Sequence, residues 1–117
     1  MTFQPFDLTG KVALVTGGNG GIGLGMARGM AQAGAEIAIW GTNEEKNAAA
    51  VDILSGDTQG KVKSWKVNVA DEDAVNAAFA DTLASFGRVD SVFANAGIGK
   101  LAGSFIEMDT QAYRDVL

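Results

Sequence analysis

The sequence predicts an α/β fold with a doubly wound parallel sheet, laid out as βαβαβαβ. Three observations carry that expectation: short apolar runs bounded by turn residues, stretches of helical apolar spacing between them, and glycines where one kind of segment gives way to the next. Short strands separated by helices pair in parallel through right-handed crossovers, because a helix must cross the sheet face before the next strand can begin.

Val12, Ala13, Leu14 and Val15 form a continuous apolar run between Gly10 and Gly17, as expected of a strand buried on both faces. After the glycine-rich residues 17–23, Ile22, Met26 and Met30 recur at every fourth position with Ala27 and Ala31 beside them. That spacing predicts a helix with one apolar stripe, ending near Gly34. Residues 36–40, with Ile37, Ala38, Ile39 and Trp40, read as a second buried strand. Asn43 is placed to cap the next helix, with Glu44 and Glu45 in its first turn, where the helix dipole favours negative charge. Ala50, Ile53 and Leu54 supply its inner face and Gly56 its end. Residues 62–69 read as a third strand with Trp65, Val67 and Val69 on one side. Asp71 then caps a helix carrying Val75, Ala78, Phe79, Leu83 and Phe86, closed by Gly87. Residues 89–94 form a fourth strand, and Asp109 or Thr110 starts one more helix.

The 117 residues fit one domain, 1–117, with 47% apolar and 20% charged residues, the composition of a folded chain rather than a disordered one. A chain of that size buries roughly two thirds of its unfolded surface, enough for a core. Cysteine and histidine are both absent. That excludes disulfides, thiolate metal sites, cysteine nucleophiles and the commonest general base, and no metal site is expected. With 9 Lys and Arg against 14 Asp and Glu, the net charge is −5. No basic stripe is present, so nucleic acid is not an expected partner. The N-terminus lacks the pattern of a signal peptide and no apolar stretch approaches the roughly 20 residues of a membrane span, so a cytoplasmic protein without a membrane partner is expected.

The chemistry-bearing segment is residues 15–23, where a buried strand runs into glycines and an amphipathic helix leaves them. Gly18, Gly20 and Gly23 satisfy G-x-G-x-x-G, while Thr16, Gly17, Gly21 and Gly23 satisfy T-G-x-x-x-G-x-G. Among 16 glycines a pattern match alone decides little, but the strand-turn-helix context gives it meaning. Without Cβ atoms a phosphate can approach closely, and the amides at the helix N-terminus point at it.

The T-G-x-x-x-G-x-G pattern, together with Asn95, Ala96 and Gly97 after the fourth strand, resembles the short-chain dehydrogenase/reductase family. Residues 10–15, 68–71 and 86–90 agree with it, and the likeness covers the whole chain as the N-terminal, cofactor-binding half of such an enzyme. The resemblance implies a Rossmann-like domain, incomplete here, and hydride transfer between NAD or NADP and a small alcohol or carbonyl substrate. A homo-oligomer is expected, because Val89, Val92 and Phe93 would lie on an uncovered apolar edge of the sheet, a template for another chain. The resemblance also implies that the turn containing Gly17, Asn19, Gly21, Ile22 and Gly23 holds pyrophosphate, and that Asn68 and Val69 hold adenine. Asn95, Ala96 and Gly97 would lie along the cofactor. Asn68 departs from the family's usual Asp, although its amide oxygen can still accept from the adenine amino group. The Asn95 side chain can equally tie neighbouring strands together.

Cofactor choice is decided at the end of the second strand, where an acid binds the ribose 2′-OH of NAD and an Arg receives the 2′-phosphate of NADP. The residues there are Gly41, Thr42 and Asn43, which give neither signal. Without an acid at Gly41 a 2′-phosphate meets no direct repulsion, and Thr42 and Asn43 can donate hydrogen bonds, which tips the expectation slightly to NADP. Gly41→Asp would then shift the preference toward NAD. The family's catalysis is implied to use a Ser, a Tyr and a Lys four residues after the Tyr. Tyr113 is followed four positions later by Leu117, so no catalytic residue is assigned within these 117 residues. A non-catalytic dinucleotide-binding module or excised half-domain is the alternative, and a flavodoxin-like phosphate binder is a third reading that leaves Asn95, Ala96 and Gly97 unexplained.

Overall fold

The structure is a computed structural model and describes residues 6–95. Ala96, Gly97, Tyr113 and the helix expected from Asp109 or Thr110 lie outside those residues. The elements run β1 (Val12–Thr16), α1 (Gly21–Gln32), β2 (Glu36–Gly41), α2 (Glu44–Asp57), β3 (Val62–Lys66), α3 (Glu72–Phe86) and β4 (Ser91–Ala94). The four strands form one parallel sheet in the order β3-β2-β1-β4. Val15 stands opposite Ile39 on one side and Phe93 on the other.

Alternation along the central strands sorts the core onto two faces. Ala13, Val15, Ile37 and Ile39 pack with Ala27 and Ala31 of α1 and Leu54 of α2. Leu14, Ala38 and Trp40 turn to the opposite face and pack with Val67 and with Ala78 of α3. Helices therefore cover both sides, which is why β1 and β2 read as continuous apolar runs rather than alternating ones. Among the described residues no helix is long and apolar enough to cross a membrane.

Several local expectations shift. The inward stripe of α1 is Gly23, Ala27 and Ala31, whereas Ile22 is 78% exposed. Small residues on the inner stripe let the helix lie close to the sheet, with Leu24 and Met30 packed at its flanks. In α2 the buried positions are Asn47, Ala50 and Leu54, Ile53 is exposed, and the helix continues past Gly56 to Asp57, whose carboxylate pairs with Arg28 at 2.9 Å. β3 ends at Lys66 rather than at 69 because Asn68 turns the chain: its side chain accepts from the Ala70 amide at 3.0 Å and its carbonyl from the Asp71 amide. Val69 is accordingly exposed. β4 begins at Ser91, after Asp90, whose carboxylate accepts from the Val12 amide at 2.8 Å and pairs with Arg88. The Arg88 hydrogen bond, with that of Val12 second, holds the Asp90 carboxyl below the usual aspartate range.

Helix ends follow the sequence closely. Asn43 and Asp71 cap α2 and α3 by accepting from the amides of Lys46 and Ala74. Gly87 closes α3 in the left-handed region at φ 80°, where a side chain would be strained.

Candidate functional site

The carboxyl ends of the strands meet at one rim of the sheet. The chain steps from β1 to β2 to β3 in one direction and then returns to place β4 on the other side of β1. That reversal opens a crevice beyond the end of β1, the place where open α/β sheets bind ligands. The glycine-rich turn lies there.

The Gly17 amide donates to the Trp40 carbonyl at 2.8 Å, so the turn departs from the sheet at a fixed point. It then reverses through Gly17 and Gly21, at φ 67° and 54°, and enters α1 at Gly21. At Gly23, in the first turn of the helix, a Cβ would overlap the Gly17 carbonyl oxygen and the Asn95 amide nitrogen. Glycine at 23 is what allows helix and turn to close on each other.

Charge at the helix ends separates α1 from its neighbours. Both α2 and α3 carry a side-chain cap and two acidic residues in the first turn, Glu44 and Glu45 in one and Glu72 and Asp73 in the other. The N-cap of α1 is Gly20, which supplies no side-chain cap, and the first turn of α1 holds no acid. Its first amides and the positive end of its dipole therefore face the crevice uncompensated by side chains, an arrangement suited to an anion. The cradle of glycines fits a pyrophosphate group on the same ground, since no Cβ stands between the backbone and an approaching phosphate.

Asn95 donates from its amide to the Gly17 carbonyl at 3.4 Å, and its backbone amide donates to Phe93. The side chain thus ties the end of β4 to the turn after β1, the strand-tying role open to it from sequence. At the end of β2, Gly41 is buried while Thr42 and Asn43 are exposed. The Asn43 side-chain oxygen is engaged in capping α2. The Asn68 oxygen is engaged by Ala70 and keeps a second lone pair for another donor.

One residue of this region escaped sequence reasoning. Asn47 is 2% exposed and joins three elements: its amide nitrogen donates to the Gly41 carbonyl at 3.0 Å and the Trp65 carbonyl at 3.2 Å, while its oxygen accepts from Asn19 at 2.9 Å. Two carbonyl partners require the nitrogen on that side, which fixes the orientation of the amide. The available signal was a polar residue on the same helical stripe as Ala50 and Leu54.

At the opposite end of the sheet a groove is lined by Thr9, Gln32, Glu36, Asp57 and Thr58 among others. It lies far from the glycine turn, and its Asp57 carboxyl is held below the usual range first by the Arg28 hydrogen bond. Among the described residues no group of acids could hold a metal ion.

Comparison with known proteins agrees with this geometry. The family model for short chain dehydrogenase matches residues 11–117. A 3-oxoacyl-acyl-carrier-protein reductase of Chlamydia muridarum is 45% identical over 91 residues, which are 78% of this chain and 37% of that protein. A metagenomic short-chain oxidoreductase solved in complex with NADP is 30% identical with a TM-score of 0.81, over 94% of this chain and 49% of that one. An NAD+-bound xylitol dehydrogenase is 34% identical with a TM-score of 0.75, over 78% of this chain and 35% of that one. The chain thus spans between a third and a half of the length of these relatives.

Proposed function

The chain belongs to the short-chain dehydrogenase/reductase family, and from that premise we propose that it supplies the dinucleotide-binding half of an oxidoreductase moving hydride between NAD or NADP and an alcohol or carbonyl. The observation that carries the reading is the α1 N-terminus, bare of cap and acid beside a glycine turn, while α2 and α3 have both. Gly17, Asn19, Gly21, Ile22 and Gly23 would hold the pyrophosphate, with Gly41, Thr42 and Asn43 at the adenosine ribose and Asn68 and Val69 at adenine. Asn95, Ala96 and Gly97 would run along the cofactor toward the nicotinamide, which when bound accepts or donates the hydride.

NADP is the slightly favoured cofactor. Gly41 offers no acid, Thr42 and Asn43 offer donors, and Lys66, the register partner of Gly41, adds a cationic residue to the same rim. Within these 117 residues Tyr113 has Leu117 where the family motif requires Lys, so Tyr113 is not assigned the catalytic tyrosine's role. A homo-oligomer is the proposed assembly and the cytoplasm the proposed compartment.

Calorimetric titration with NAD and NADP, run on wild type and Gly21→Val with urea unfolding alongside, tests the site. A side chain at φ 54° strains the backbone by about 1–2 kcal/mol. Affinity is expected to fall by about tenfold or more, because the altered turn disturbs amides that receive phosphate. Equal affinity in two folded proteins contradicts the assignment.

A further inference from the structure

We infer that Asn19 and Asn47 form a clasp closed over Gly41 that stands where a side chain at position 41 would stand, and that this clasp sets the specificity of the ribose subsite. The inference rests on the dinucleotide reading above. A Cβ built on Gly41 overlaps the Asn19 amide nitrogen and the Asn47 oxygen at once. Those two atoms are hydrogen-bonded to each other at 2.9 Å.

The two arms differ in stiffness. Asn19 is held by the glycine turn, whereas Asn47 is buried and pinned by its bonds to the Gly41 and Trp65 carbonyls. A side chain at 41 must therefore displace Asn19, break the bond between turn and helix, and push against an amide that cannot yield without leaving buried carbonyls unpaired. The clasp keeps the floor of the subsite neutral and closed to an acid. Exchanging Gly41 for Asp alone is consequently not a route to NAD preference in this chain, contrary to what the sequence suggests by itself. Asn47 acts through Asn19 and Gly41 and is a positioning residue.

The test is a pair of mutant cycles on the full chain. In urea unfolding, Gly41→Ala lowers the midpoint in wild type by about 0.5 M or more, and leaves it unchanged or raises it in an N19A/N47A background. Should N19A/N47A not fold, the cycle is run in N19A, where the new Cβ meets one amide instead of two and the loss must shrink. In titrations with NAD and NADP, Gly41→Asp weakens both cofactors about tenfold or more when the clasp is present. Asn19 is itself assigned to the pyrophosphate, so N19A/N47A weakens both cofactors alike, and the readout is the ratio. Measured against that background, the same substitution raises NAD affinity relative to NADP about tenfold or more, which it does not do when the clasp is present.

Equal cost of Gly41→Ala in both backgrounds overturns the clasp. So does a clean switch to NAD by Gly41→Asp alone without loss of stability. A wild type that binds neither cofactor overturns the dinucleotide reading, and the specificity role with it, even if the unfolding cycle shows its coupling. A wild type that binds while the cycle shows none overturns the clasp and leaves the dinucleotide reading standing.

Discussion

Trp40 sits in what the sequence presents as a plain apolar run, yet its indole nitrogen donates to the Thr82 hydroxyl at 3.2 Å, and that hydroxyl donates to the Ala78 carbonyl at 2.7 Å. Thr82 is fully buried. Thr82→Val keeps the shape and strands the indole donor, so it is expected to cost about 1–3 kcal/mol in urea unfolding, while Thr82→Ser keeps the bond and costs less. Tryptophan fluorescence follows the transition. Pairings of this kind are illegible in sequence because they join residues distant along the chain, and the Asn19 to Asn47 bond is another. What is legible at this scale is local: Asn43 and Asp71 cap helices because a side-chain oxygen reaches an amide three residues ahead, and Gly87 ends α3 because the left-handed region favours glycine.

At the scale of elements, strands and helices announce themselves through burial, but which face turns inward depends on the partner. In α1 the bulky Ile22, Met26 and Met30 dominate any reading by hydropathy, whereas the sheet receives Gly23, Ala27 and Ala31 because close approach requires small side chains. The early end of β3 follows from the turn at Asn68, which competes with the ladder. β4 carries an element-scale expectation. Among the described residues it is an outer strand of the sheet, and Val92 is 55% exposed. An apolar parallel edge with open backbone groups is a template for another chain. Sedimentation of the 117-residue chain is expected to show mass above the 12.0 kDa monomer that rises with concentration. A monodisperse monomer across the range contradicts the proposed self-association.

Across the whole molecule, connectivity is what makes the site. Parallel pairing with β4 returning beside β1 puts the glycine turn, the end of β2 and Asn95 at one rim, and the bare N-terminus of α1 faces that rim. The glycines and the alternation of elements make this rim legible in the sequence. The clasp over Gly41 is not legible there, because it depends on an inward-facing asparagine that only the packed α2 helix brings to the turn. Amide hydrogen exchange with and without NADP tests the central claim most directly, since it reads the backbone groups assigned to the phosphates and ribose. Slowed exchange at residues 17–23 and 41–43, with residues 68, 69 and 95–97 slowed alongside them, is the expected result. Unchanged exchange there, or protection at the groove lined by Thr9, Glu36 and Asp57 instead, contradicts it.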